Sequence, residues 1–387
     1  MKSREFFLVA AEESANQYAS KLIESFQEDP ALKDIKFSGI GFSGLKDKNF
    51  NQMFDAERLS VMGALEVIQK WRTVKEAFSA SIDYILKNKP SAVLLIDFGG
   101  FNLKLAAEIK KKSPETKILY FISPKLWAWG AKRALKVKKF VDEMYVIHPF
   151  EVDFYKKWGV EATFVGHPLL QELREEFKDS EWVCGEKEKS GFLKEQKVLG
   201  LMLGSRPSEI KRLKEPFLQT VRILKESNPE LGVALIIPPS KKKSFYEKEL
   251  KEAGFEYKIL QSNDPMEKIA LCDLCLVASG TATLQVGLLG IPMAIGYIMN
   301  PITMFLAKTF VTGIKYAGLV NIIKGREISK EFLQKDLKPT AMAEYLNKLL
   351  SDKEFYVETQ KELLSLKAEL GAENTYERLK SELVKFV

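Results

Sequence analysis

Residues 272–297 constrain this chain more than any other stretch. An apolar run reaching Ala278 reads as a buried strand, and it breaks at Ser279-Gly280. A helix restarts around Thr281 and stops at Gly290-Ile291-Pro292, after which Met293 to Tyr297 supplies another apolar run. The segment is therefore a βαβ unit, and such a unit needs a parallel sheet. Ser279, Gly280, Thr281 and Thr283 crowd the helix start, where unpaired backbone N–H groups and the helix dipole favour an anion. Serine and threonine are also ordinary helix caps, so the stretch balances phosphate binding against capping.

The same alternation runs through both halves. Phe6–Ala11, Phe37–Phe42, Ala92–Asp97, Ile118–Ile122, Glu143–Ile147 and Ala162–Val165 read as short strands. Helical patterns such as Ala15–Phe26, Val74–Lys87 and Phe101–Lys112 lie between them. After a charged stretch the pattern resumes at Val198–Leu203, Val233–Ile237, Tyr257–Leu260, Leu274–Ala278 and Met293–Tyr297. The expected class is α/β, with two Rossmann-like doubly wound domains. The expected divisions are 1–170, a linker at 171–189, 190–338, and a helical, charged tail at 339–387 that packs back on the first domain. Ligands in such folds sit beyond the C-terminal ends of the strands.

At 387 residues, 46% hydrophobic and 29% charged, the chain can bury two ordinary cores. Its apolar runs are far too short for a bilayer span, and Phe6–Ala11, cut off by Glu12-Glu13, is too short for a signal peptide. A cytoplasmic protein is expected. Cys272 and Cys275 form a CxxC, but three residues apart in a strand they would point to opposite faces, which reads as core. With His148 and His167 the only histidines and no acidic ladder, neither a metal site nor a cofactor is expected. The net charge of +7 is concentrated in part at Lys125–Phe140, which mixes cations with Trp127 and Trp129. A solvated helix with a buried aromatic edge is the commonest meaning of such a run. Contact with an anionic membrane comes second, and nucleic acid last, because no nucleic-acid-binding module is recognisable.

The segments at the strand ends form a consistent set. Ala10–Asn16 carries Glu12, Ser14 and Asn16; Asp97-Phe98-Gly99-Gly100 leads to Phe101 and Asn102; Ser123–Trp129 and Val165–Leu169, with His167, come after later strands. In the second half, Leu203–Glu209 holds Gly204, Ser205, Arg206 and Glu209, and Ser279–Gln285 completes the set. Each has a plainer role open to it. Asp97 could cap the next helix, Glu12 could pair with a surface lysine, Arg206 could hold a carboxylate, and His167 could pack in a turn.

Together these residues carry a resemblance. Ser-Pro-x-x-Trp-Ala-Trp (123–129), Pro-Phe-Glu (149–151), Val-Gly-His-Pro (165–168) and Gly-Ser-Arg (204–206) with Glu209 stand in order. Ser-Gly-Thr-Ala-Thr-Leu (279–284), Asn321 with Gly325-Arg326-Glu327, and Leu333-Gln334 come next, and Val61-Met62-Gly63 with Glu66 fits as well. The set resembles the lipid-A-disaccharide synthase family from about residue 7 to residue 334. The resemblance implies a GT-B type glycosyltransferase with two Rossmann-like domains and a helical C-terminal tail. It implies transfer of 2,3-diacylglucosamine from UDP-diacylglucosamine to diacylglucosamine 1-phosphate, at the cytoplasmic face of the inner membrane. A homodimer is left open.

On this reading Asp97 is the base or positioning carboxylate, with Glu12 as the substitute. Gly204, Ser205, Arg206, Glu209, Ser279, Gly280, Thr281, Ala282, Thr283, Gln285, Asn321, Glu331 and Gln334 fall on the UDP-sugar side. Ser14, Asn16, Met62, Asn102, Trp127, Trp129 and His167 fall on the acceptor side. The chain departs from the family's Gly-Glu-x-Ser-Gly-Asp at Ala11–Asn16, and from Asp-x-Pro-Asp-Phe-Asn at Gly99 and Gly100. Gln285 stands for a glutamate and Val320 for a proline. Two alternatives stay open: another GT-B sugar-nucleotide enzyme, such as an epimerase, and a non-catalytic paralogue that binds UDP-sugar or lipid.

Overall fold

The computed structural model describes residues 4–60, 67–128, 130–239, 241–298, 315–371 and 374–387. The chain divides into two compact units, Met1–Pro168 with Leu370–Val387, and Leu169–Glu369. The first holds a parallel sheet of β1 (Glu5–Val9), β2 (Lys36–Gly41), β3 (Phe50–Asp55), β4 (Ala92–Ile96), β5 (Ile118–Phe121), β6 (Glu143–Val146) and β7 (Thr163–Phe164). Their spatial order is β3-β2-β1-β4-β5-β6-β7. The second unit holds β8 (Val198–Met202), β9 (Gly232–Ile236), β10 (Lys258–Leu260), β11 (Leu274–Ala278), β12 (Met293–Tyr297) and β13 (Glu331–Leu333). These run β10-β9-β8-β11-β12-β13, again all parallel.

The apolar runs are continuous because the sheets are covered on both faces. In β1, Phe7 and Val9 enter one core while Phe6 and Leu8 enter the other; β4 divides the same way, Val93 and Leu95 against Leu94 and Ile96. Strand order reverses between β1 and β4, and between β8 and β11. Each reversal parts the two adjoining loops and leaves a crevice at the C-terminal strand ends.

Three local readings change. Residues 171–189, expected as a linker, are short helical turns and the helix Ser180–Lys189, within the second unit's own chain segment. Their charges are partnered: Asp179 accepts the Glu181 N–H, and the buried Lys187 donates to Asp273 at 3.0 Å and to the Gln196 carbonyl. The tail also splits. Helices Pro339–Ser351, Lys353–Leu364 and Leu366–Glu369 stay with the second unit, while Thr375–Leu383 packs Tyr376, Leu379 and Leu383 against Ala15, Leu22 and Phe26 of the first. Finally, Cys272 lies in the turn before β11, where strand periodicity does not apply. A Cβ on Gly200 would lie 2.7 Å from Cys275 Sγ and 2.9 Å from Cys272 Sγ, so both thiols converge over β8 instead of pointing apart. They are buried and unbridged.

Candidate active site

The first reversal brings Asp97 and Glu12 together. Asp97 follows β4 with φ of 45°, and Phe98 comes next with 43°, so two successive residues take the left-handed conformation. Such backbone costs energy and persists only where its surroundings fix it. Here the Tyr120 hydroxyl and Asn102 Nδ2 both donate to the Asp97 carbonyl, Asn102 at 2.8 Å, and the Asp97 N–H donates to the Phe121 carbonyl at 3.2 Å. Burial raises the Asp97 carboxyl from 3.8 to about 6, the neighbouring Glu12 adds to the rise, and Lys125 opposes it. The helix Gly99–Lys112 has Phe98 at its N-cap position with no capping side chain, so Asp97 is not its cap. Asn102, read as an acceptor-side residue, is buried beneath this turn and holds its backbone.

The loop after β5 lies against the Asp97 turn. A Cβ on Gly99 would fall 2.4 Å from Pro124 Cβ, which excludes any larger residue unless the loops part. Arg133 secures the same place by donating to the Gly99 carbonyl at 2.9 Å. Trp127 Nε1 donates to Glu151 Oε1 at 3.1 Å, and the indole meets Phe150 edge-on at 5.1 Å. Glu151 Oε2 accepts the His148 N–H at 3.1 Å, while Ser123 Oγ sits 2.7 Å from the Tyr155 hydroxyl. Burial lifts the Glu151 carboxyl to about 7 against those donors. His148 stacks on Phe150 and lies 5.1 Å from His167; burial lowers both imidazoles, His167 to about 3, so both are neutral.

Glu12 and Ser14 are exposed at the head of the helix Glu13–Gln27. Asn16 is half-buried, and its Oδ1 accepts the Phe42 N–H at 3.1 Å, which an amide does as well as the aspartate the family carries. Met62 and Trp129 lie outside the described residues, as do Val61, Gly63 and Glu66. A groove of about 810 Å³ opens along Phe98, Gly99 and Gly100. Trp71, Val74, Phe78 and Leu103 line it, and Lys75, Lys104, Arg133 and Lys136 rim it. Trp71 is 69% exposed.

The second reversal gathers the candidate nucleotide residues. Gly204, at φ 96°, turns the chain out of β8; a Cβ there would lie 2.9 Å from Glu209 Oε2. Ser205 is exposed, and Arg206, 71% exposed, reaches Glu209 at 3.1 Å across the first turn of the helix Pro207–Ser227. Across the reversal, Ser279 and Gly280 lead into the helix Thr281–Leu288. Thr281 is exposed, and Ala282 and Gln285 are half-buried. The other two hydroxyls are committed to the protein. Ser279 Oγ donates to the Ala317 carbonyl at 2.7 Å; Thr283 Oγ1 donates to the Gly280 carbonyl and accepts the Leu319 N–H at 3.1 Å.

Asn321 and Glu331 are committed as well. Glu331 accepts from Ala317 N–H at 2.8 Å, Gly318 N–H at 2.9 Å and Asn321 Nδ2 at 2.8 Å. Burial still holds its carboxyl above the ordinary range. Asn321 Oδ1 accepts the N–H groups of Ile328 and Ser329, and its Nδ2 also donates to the Ser329 carbonyl. These side chains clamp residues 317–331 onto the helix start. Gln334 differs: at φ 53°, just after β13, its Nε2 is buried without a protein partner. His148, Tyr120 and Arg133 carry no mark in the sequence as strong as the motif residues. For Glu151 a signal existed, since His-Pro-Phe-Glu places proline at a helix start and a carboxylate at the position that caps it.

This geometry has known counterparts. Two parallel sheets with crevices at their reversals match the UDP-GlcNAc 2-epimerase of Neisseria meningitidis bound to UDP-GlcNAc, with a TM-score of 0.67, 11% identity and full coverage of both chains. The UDP-GlcNAc 2-epimerase of Methanocaldococcus jannaschii in complex with UDP-GlcNAc and UDP gives 0.61, at 14% identity and full coverage of both. These likenesses establish the GT-B fold. Sequence is more specific. The lipid-A-disaccharide synthase of Persephonella marina is 33% identical, covering 98% of each chain; that of Trichlorobacter lovleyi is 32% identical, covering 96% of this chain and 94% of its own. The family described as lipid-A-disaccharide synthetase matches residues 6–386. The chain accordingly belongs to the lipid-A-disaccharide synthase family, and it is a glycosyltransferase.

Proposed function

We propose that this enzyme moves 2,3-diacylglucosamine from UDP to the 6-hydroxyl of 2,3-diacylglucosamine 1-phosphate, giving a β-1,6-linked disaccharide 1-phosphate and UDP. The observation that carries the reading is the Asp97 carboxyl, raised to about 6 and set beside an apolar groove with a cationic rim. Such a groove suits a molecule that joins acyl chains to a phosphate. Asp97 takes the proton of the attacking hydroxyl as its oxygen bonds to the sugar C1. The C1–O bond to the diphosphate breaks and UDP leaves with the electron pair. Arg206 and the backbone N–H groups at the start of Thr281–Leu288 meet the charge on the leaving group. Thr281, Gln285 and Gln334 are the side chains left available to the nucleotide-sugar. Asn321, Glu331, Ser279 and Thr283 support it from behind. Mass spectrometry of products from UDP-diacylglucosamine, with and without the acceptor, tests this directly. Disaccharide 1-phosphate forms only when both are present; an altered UDP-sugar without acceptor, or no product, rejects the reading.

Arg206→Ala is expected to weaken UDP binding by roughly 10–100-fold, because a charge-assisted contact is worth about 1.5–3 kcal/mol. Lys211→Ala, on the exposed face of the same helix, is expected to change nothing. Calorimetric titration with UDP reads both, and equal affinities would remove Arg206 from the phosphate site.

We further infer peripheral attachment to the anionic cytoplasmic face of the inner membrane. Among the described residues no helix is long and apolar enough to cross a membrane. Lys132, Lys136 and Lys139 are candidate contacts, and Lys136 and Lys139 flank the groove as it continues toward Phe140. Each cation at an anionic surface contributes about 1 kcal/mol, so reversing all three to glutamate should weaken vesicle binding by at least ~100-fold. Arg133 is left intact because it holds Gly99. Co-sedimentation with phosphatidylglycerol vesicles that ignores these changes would clear this face of the role.

A further inference from the structure

We propose that Glu151 is a positioning residue for the transfer reaction: by accepting the Trp127 indole N–H it fixes the Ser123–Trp127 loop against the Asp97 turn. This rests on the reading of Asp97 given above. Donors reach Glu151 from two elements. His148 N–H and Trp127 Nε1 each lie at 3.1 Å, one on each carboxylate oxygen. A carboxylate offers each of these donors an oxygen of its own, which an amide side chain does not. Burying it at 1% exposure is costly, and the two donors offset that cost. The carboxylate adds a fixed direction for Trp127, whose ring is boxed on Phe150 while His148 stacks on the same ring.

From Trp127 the constraint runs back along the loop to Asp97. Pro124 packs into the space that a Gly99 side chain would fill, and Arg133 bonds to the Gly99 carbonyl. Lys125, between Pro124 and Trp127, is close enough to favour ionisation of Asp97. A loop free to shift would move Lys125 and the Gly99 wall together. Misplacing a reacting group by about 1 Å can cost on the order of 100-fold in rate.

Trp127→Phe separates this role from simple helix capping. It keeps an aromatic ring but removes the N–H, leaving the Glu151–His148 bond intact. Glu151→Gln keeps a residue type able to cap, but leaves one converging donor unpaired. Each single variant is expected to lower kcat by roughly 10–100-fold with the KM for the UDP-sugar unchanged. The double variant should be no slower than the worse single one, because both remove the same bond. Hydrogen exchange supplies a readout that needs no turnover: the amides of Ser123 and Lys125–Trp127 should exchange about tenfold faster in both variants, with the helix Pro149–Lys157 unaltered in Trp127→Phe. A wild-type kcat and unaltered loop exchange in Trp127→Phe would overturn the proposal. If the wild-type protein forms no disaccharide, the transferase reading and this catalytic role fall together, and the exchange data show whether Glu151 still fixes the loop.

Discussion

Asp97→Asn is expected to lower kcat by roughly 10²–10⁴-fold, the usual worth of a general base, while UDP affinity is unchanged and the protein becomes more stable at pH 8. The two effects share one cause. Burial raises the Asp97 carboxyl from 3.8 to about 6, so the folded protein holds this proton more tightly than the unfolded chain. That contribution to stability is complete below about pH 4 and is lost as pH rises through 6. Asparagine carries no charge, so the variant escapes the loss. The catalytic sign is opposite, because only the ionised form accepts a proton: wild-type kcat should rise through about pH 6 and then level off. Steady-state rates from about pH 5 to 9, with thermal melts beside them, read both limbs. A variant with nearly wild-type kcat would end the case for Asp97 and move the search to Glu12.

Asn321→Ala is expected to destabilise the protein by about 3 kcal/mol or more, through hydrogen bonding and not through catalysis. The deletion strands the N–H groups of Ile328 and Ser329 in the interior and removes one donor from Glu331. Each buried group left without a partner costs about 1–3 kcal/mol. Denaturant unfolding measures the loss. Because the same clamp holds residues 317–319 against Ser279 and Thr283, UDP affinity should fall only as far as the helix start loosens. Unchanged stability with a collapse in UDP affinity would place the amide on the nucleotide instead.

The contrast between these residues marks what can be read from sequence. Strands buried on both faces, such as Leu274–Ala278 and Ala92–Ile96, show as unbroken apolar runs and are recognisable. The two strands absent from the sequence reading, β3 and β13, lie at sheet edges. There, partial exposure admits Asn51 and Gln52 in one, and only Glu331–Leu333 makes up the other. The C-terminal strand ends are legible for the same reason as the strands. Which polar side chains face a ligand is not. A motif places Thr281 and Thr283, or Asn321 and Gln334, on equal terms; packing turns Thr283 and Asn321 inward to hold backbone and leaves Thr281 exposed. The convergence of Cys272 and Cys275 is hidden in the sequence because Cys272 lies outside the strand, in the turn that precedes Leu274.

The return of Leu370–Val387 to the first unit bears on how the protein is made. The helix Glu13–Gln27, with Ala15, Ala19, Leu22 and Ile23, shares its core with Tyr376, Leu379 and Leu383, residues synthesised after the whole of Leu169–Glu369. At about 5–20 residues per second, translation separates that helix from its late partner by roughly 20–70 s. During that interval the nascent unit presents an uncovered apolar stripe to solvent. The first unit therefore completes its core only after the intervening Leu169–Glu369 has been made, and chaperone demand should centre on that unit.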